Sequence, residues 1–151
     1  MCRVDPMLTD DQQRFLDGQR VARLATADSS GRPHVIPICF VVVGNTVYFS
    51  VDEKPKRKRH RPLKRIANMR ENPRVALVFD HYDEDWGQLG WVMVQGRAEE
   101  LASGSEHDQA QISLRARYRQ LAGMQIEALP VVAIRIERAT SWGNLRKSEK
   151  V

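Results

Sequence analysis

The chain has 151 residues, 42% of them hydrophobic and 28% charged, which fits one domain with a core of its own and excludes a disordered chain. Two cysteines, Cys2 and Cys39, are too few for a disulfide scaffold or a four-cysteine zinc site. The apolar run over residues 35–43 is interrupted by Pro37 and falls far short of the ~20 residues that span a bilayer. The first residues carry Asp5, Asp10 and Asp11 and lack a signal peptide's apolar stretch. The expectation is a soluble, cytoplasmic, single-domain protein over 1–151 that does not engage a membrane.

In chain order, Thr9 with Gln12 three residues on predicts a capping box opening a helix to about Asp17, with Phe15 and Leu16 turned to the core and Gly18 as its stop. Residues 21–27 read as a strand, followed by the turn formers of 28–33. Residues 34–43 read as one long second strand, apolar enough to be buried on both faces. Gly44-Asn45 is a hairpin signal returning the chain as a strand over 46–51. Pro62 suits a helix start, Leu63, Ile66, Ala67 and Arg70 follow at helical spacing, and Asn72-Pro73 ends the helix. Strands are expected at 74–80 and 88–99, the latter with Trp91, Met93 and Gln95 on one face and Val92 and Val94 on the other. Ser105 with Asp108 reads as an N-cap for a helix to about Ala122, whose apolar face is Ala110, Leu114, Tyr118, Leu121 and Ala122. A sixth strand over 131–137 leads into a polar tail from Thr140. The fold class is α+β, a six-stranded antiparallel barrel with short flanking helices.

The net charge of +5 has one source. Residues 54–65, KPKRKRHRPLKR, hold eight lysines and arginines and no acid. Taking these eight from the 24 in the chain leaves 16 against 19 acids, so the remainder carries about −3. A run of this kind is solvated or meets an anion, either a phosphorylated cofactor or a nucleic acid. The aromatics that single-stranded nucleic-acid binders interleave with such charges are missing from it, which disfavours nucleic acid.

The four histidines, at 34, 60, 81 and 107, show no metal spacing, and the sequence contains no HExxH, CxxC, GxSxG, Walker A or GxGxxG motif. Cys39, inside an apolar strand, reads as an inert buried thiol. With no protein nucleophile or metal in view, and no general acid that stands out, an enzyme of this composition needs a cofactor for its chemistry. Three features could receive one. The hydroxyl and backbone N–H at Ser50 and Val51 could meet a planar ring or a phosphate. Lys64 and Arg65, at a helix start, favour an anion. Trp86, Trp91 and Trp142 offer aromatic surface away from the core pattern.

The segments LATADSSGRPHVIPICFVVVGNTVYFSVDEK and LKRIANMRENPRVALVFD resemble the pyridoxamine 5′-phosphate oxidase-like superfamily of split β-barrels, and within it the coenzyme F420-dependent oxidoreductases. The resemblance covers about residues 8–144. Its most specific pieces are GRPHVIPICF, the strand end YFSVD, and the spaced set Lys64, Asn68, Asn72, Pro73, Arg74 and Val75. It implies a split barrel that forms a homodimer, with FMN or coenzyme F420 in a groove between subunits. Pro37 and Ile38 would lie along the ring, Ser50 and Val51 would meet the ring or ribityl chain, and Lys64 with Arg65 would pair with the phosphate. The basic stretch of residues 54–61 is longer than the family loop, so Lys56 and Lys58 share the phosphate assignment with Lys64. Trp142 would approach from the other subunit. The family's arginine-containing C-terminal signature is not recognisable at Trp142 to Arg146, which argues against pyridoxamine phosphate as substrate.

The leading expectation is a dimeric oxidoreductase passing a hydride between coenzyme F420 and a small organic molecule, the surplus positive charge favouring that cofactor's acidic tail over FMN. An FMN-dependent oxidase or reductase is the sister reading. A non-catalytic module using residues 54–65 on nucleic acid is the alternative of another class.

Overall fold

A computed structural model describes residues 5–51 and 63–146; Lys56, Lys58 and most of the basic run lie outside the described residues. Helix α1 (Asp10–Gly18) opens with the expected capping box. The Thr9 side chain accepts from the Gln12 N–H, and the Gln12 side chain accepts from the Thr9 N–H. Its Phe15 and Leu16 are buried. Strands β1 (Ala22–Ala27) and β2 (Pro33–Ile38) pair antiparallel around the 28–33 turn. Strands β3 (Val41–Val43) and β4 (Thr46–Ser50) form the Gly44-Asn45 hairpin, where Gly44 takes φ 58°, a conformation such two-residue turns require.

After α2 (Lys64–Glu71), which Asn72-Pro73 ends, come β5 (Arg74–His81) and β6 (Gly90–Leu101), joined through a 3-10 turn at Trp86–Gln88. Helices α3 (Ser105–Arg117) and α4 (Arg119–Ala122) precede β7 (Val131–Gly143). Seven strands form one antiparallel sheet in the order β2-β1-β5-β6-β7-β4-β3. The two edge strands, β2 and β3, are separated in sequence only by Cys39 and Phe40. A two-residue connection spans at most about 11 Å, so the sheet must curl until its edges meet. This is the split barrel, with Leu24, Leu77, Phe79, Val92, Val94 and Ile134 filling its interior.

The corrections to these expectations fall into four groups. The single strand over 34–43 is two, because the chain turns the corner of the barrel at Cys39-Phe40. The strand count rises from six to seven accordingly. Nor is the first of these strands buried on both faces: β2 is an edge strand with Val35 62% exposed, and β-branched composition reflected pairing rather than double burial. Cys39, expected inside, is exposed.

Second, Ser105 is not the cap of α3. Gly104, at φ 111°, stands there without a side-chain bond. Third, the helix expected to reach Ala122 breaks at Tyr118, whose extended backbone (φ −122°, ψ 117°) separates α3 from α4. Fourth, β7 runs on through Thr140 to Gly143, where a polar tail was expected, because β6 is long enough to pair it throughout. In α2 the inward positions are Ile66, Asn68 and Met69, and Arg70 instead faces out to Glu100. Among the described residues no helix is long and apolar enough to cross a membrane.

Candidate functional site

Where the barrel's edges approach each other they leave a cavity of about 450 Å³. β2 and the corner contribute Ile36, Pro37, Ile38 and Cys39, while β4 contributes Phe49 and Ser50. Val21, Leu121 of α4 and Arg65 of α2 complete the lining. The walls are mostly apolar, with one hydroxyl and one guanidinium, and the volume is that of an ordinary cofactor pocket. Leu63, the N-cap of α2, offers no side-chain cap, and Arg65 sits in the first turn that follows it, at the positive end of the helix.

The corner is fixed from outside by Tyr118. Its hydroxyl accepts from the Phe40 N–H at 3.1 Å and lies 3.0 Å from both the Phe40 and Arg20 carbonyls. The Arg117 guanidinium caps the end of α1, donating to the Asp17 carbonyl at 3.0 Å and to the Gln19 carbonyl, and lies over the Phe40 ring. Phe40 meets Phe79 edge-on, with centroids 4.8 Å apart. Breaking the helix at Tyr118 is what lets these two neighbours both reach the corner.

Behind Ser50 stands Gln111 of α3, 3% exposed. Its Nε2 donates to the carbonyls of Ile126 (2.9 Å) and Leu129 (3.1 Å) and lies 3.4 Å from Ser50 Oγ. One turn earlier, buried His107 has Nε2 2.7 Å from the Leu129 carbonyl and Nδ1 2.9 Å from Asp108. With an acceptor at each nitrogen, first the Leu129 carbonyl and then Asp108, the imidazole is held protonated to a higher pH than usual. The loop before β7 is thereby pinned, and its Pro130 carbonyl accepts from the Val51 N–H at 3.1 Å.

The cavity therefore brings together Pro37, Ile38, Ser50 and Arg65. Val51 is buried, and its N–H is committed to Pro130. Lys64 points elsewhere, 3.9 Å from Asp28. Asp28 is itself held below the usual carboxylate range, by the Arg32 N–H first and with Lys64 contributing. Trp91 and Trp142 sit on the outer face of β6 and β7, directly opposite each other. Trp86 is on the exposed β5–β6 loop. Lys56 and Lys58 are outside the described residues.

Sequence reasoning missed Ile36, Cys39, Leu121 and the pair His107 and Gln111. The i, i+2 alternation with Ile38 would have found Ile36. The spacing 107, 111, 114 would have put both polar residues on the buried face of α3. Among the described residues no group of histidine, cysteine and acidic side chains could hold a metal ion.

The fold is similar to solved structures. A conserved hypothetical protein from Mycobacterium tuberculosis superposes with a TM-score of 0.72 at 20% identity, over 95% of this chain and 89% of that one. A FAD-binding protein from Mesorhizobium loti gives 0.65 at 27% identity, over 85% and 87%. The heme storage protein HutZ from Vibrio cholerae gives 0.65 at 16% identity, over 87% and 90%. No curated protein matches the sequence. The family model described as pyridoxamine 5′-phosphate oxidase matches residues 8–143, nearly the whole barrel, and the chain belongs to that family.

Proposed function

We propose that the protein is an oxidoreductase that holds a flavin or deazaflavin in the cavity between the barrel edges, as a homodimer. The observation that carries this reading is the meeting of Ile36, Pro37, Ile38, Ser50 and Arg65 around one 450 Å³ space. The apolar β2 wall fits a planar ring, the Ser50 hydroxyl fits a carbonyl or ribityl oxygen, and Arg65 in the first turn of α2 fits a phosphate. The similar FAD-binding protein from Mesorhizobium loti supports a flavin-type ligand.

Bound there, such a cofactor supplies two-electron transfer to or from an organic substrate. The chain's own residues bind and orient it. Arg65 neutralises the anion, the pinned Ser50 strand fixes the ring's depth, and the apolar walls exclude water. The surplus of cations that the sequence carries over residues 54–65 favours coenzyme F420, whose tail adds carboxylates to a phosphodiester, over FMN. The substrate is a small molecule that occupies the space left above the ring.

The second subunit belongs to the same reading. The outer face of the sheet has a concavity of about 570 Å³ floored by Ala25, Ala27 and Ala76 and edged by Arg74, Gln95 and Arg138. Trp142, 55% exposed, and Trp91 stand on the same outer face. A two-fold partner covers such a surface with its own copy, and the tryptophans of one subunit then close over the cavity of the other.

Titration of the purified protein with FMN and with coenzyme F420, followed by fluorescence quenching, tests the cofactor. Micromolar or tighter binding of the deazaflavin supports the reading in full, and binding of FMN alone moves it to the FMN-dependent branch. Failure of both, with a Soret band appearing on addition of haem, replaces it by the ligand class of the HutZ-like relatives.

A further inference from the structure

Beneath α2, one turn on from Arg65, the barrel interior contains a polar island. Asn68 is fully buried. Its Nδ2 donates to Thr26 Oγ1 at 3.0 Å, while its Oδ1 is buried with no partner. His34 stands directly across the β1–β2 pair from Thr26, so the two side chains share a face. The Nδ1 of this half-buried histidine is also sealed from solvent without a partner.

Buried polar atoms without partners are rare in native proteins, and two on the residues that flank Thr26, one bonded to it and one across the strand pair from it, ask for one explanation. Their chemistry narrows it. Asn68 Oδ1 only accepts. The Thr26 hydroxyl, having accepted from Asn68, still has a hydrogen to donate. His34 Nδ1 accepts or donates according to tautomer. An apolar group satisfies none of these, and a cation would face a hydroxyl, an amide and an imidazole with no compensating carboxylate among the three.

We infer that Thr26, His34 and Asn68 bind a single internal water, which accepts from Thr26, donates to Asn68 and matches whichever tautomer His34 adopts. Three partners are the usual number for a buried water. The site has a mechanical consequence. Asn68 lies on α2 three residues after Arg65, and His34 lies on β2 two residues before Ile36, so both belong to the surfaces that continue inward from the cavity. The water ties α2 to β1 and β2 and so holds the helix that carries Arg65. This inference is independent of which cofactor the cavity takes.

A high-resolution crystal structure of the wild-type protein tests it directly. The expected result is one solvent peak within hydrogen-bonding distance of Asn68 Oδ1, His34 Nδ1 and Thr26 Oγ1. Water-deuteron relaxation dispersion should count one long-lived water fewer in His34→Phe, which keeps an aromatic side chain and removes both ring nitrogens. In the same variant the α2 amides should exchange about tenfold faster, since a ligated buried network is being opened. A direct Asn68–His34 hydrogen bond in the crystal, or an unchanged count of long-lived waters in a folded His34→Phe, overturns the inference. Should that variant not fold, the wild-type crystal decides alone.

Discussion

Trp91 and Trp142 are paired across β6 and β7, each the other's direct neighbour on the outer face of the sheet. Immediately beside them Gly90 pairs with Gly143, where a Cβ on either would collide with backbone carbonyl oxygen, Leu89 at Gly143 and Asn144 at Gly90. The two strands are thus drawn tightly together beside the indoles. A pair of indoles left half in water is costly on a monomer's surface, and the proposed dimer gives it a purpose. Replacing Trp142 by Phe should abolish most of the tryptophan quenching that accompanies cofactor binding, with circular dichroism unchanged. Undiminished quenching would place the ring far from this pair.

Dimerisation itself is open to a sharper test. Ala76 lies in the floor of the outer concavity, where a charged side chain would be buried between two copies. Ala76→Glu should sediment as a ~17 kDa monomer at low micromolar concentration and lose cofactor affinity together with the dimer. A monomer that still binds cofactor would separate the interface from the site.

The two cations at the start of α2 should prove unequal. Arg65 lines the cavity, whereas Lys64 is paired with Asp28 on the surface. Arg65→Ala should weaken FMN or coenzyme F420 by about 1.5–3 kcal/mol, the worth of one charge-assisted hydrogen bond and roughly ten- to a hundredfold in Kd. Lys64→Ala should change it far less. The reverse order in fluorescence titrations would assign the phosphate to Lys64.

Tyr118→Phe deletes one oxygen and leaves the buried Phe40 N–H without its acceptor. The expected loss is about 1–3 kcal/mol of unfolding free energy, measured by urea denaturation. Because Phe40 adjoins Cys39, the Cys39 thiol should also react faster with a thiol reagent as the corner loosens. An unchanged rate would mean that the Phe40–Phe79 contact holds the corner alone.

Two groups contribute to the pH dependence of stability from opposite sides. His107 binds its proton more tightly folded than unfolded, so its contribution is complete below its ordinary value of about 6.5 and is lost as pH rises through the higher folded value. Glu106 is held down to about 2, by Arg135 first and then by Tyr48. Its contribution is therefore present above the ordinary 4.5 and lost as pH falls toward 2. Its side chain is 41% exposed, and water and salt screen that contribution to a small one. Tm should therefore decline from about pH 6.5 upward, and His107→Gln should flatten that alkaline decline while leaving the acid limb intact. An alkaline limb of unchanged slope in the variant would assign it to another group.

The sequence by itself determined the elements whose causes are local. The Thr9–Gln12 capping box, the Gly44-Asn45 turn, the Asn72-Pro73 stop and the alternation of Val92 and Val94 with Trp91 and Met93 each arise within a few residues. The spacing of quoted motifs also sufficed to recognise the family. What only the tertiary structure decided depends on groups distant in sequence. Pro37 interrupts residues 34–43, but nothing local marks Cys39-Phe40 as the corner, which Tyr118, 78 residues away, holds by bonding both the N–H and the carbonyl of Phe40. Ser50 and Arg65 share a cavity with Pro37 and Ile38 because the two edges of one sheet close on each other. Lys64 and Arg65, adjacent in sequence and alike in charge, are separated by the rotation of about 100° between successive helix residues. One turns to Asp28 and the other to the cavity, a division that composition and spacing could not express.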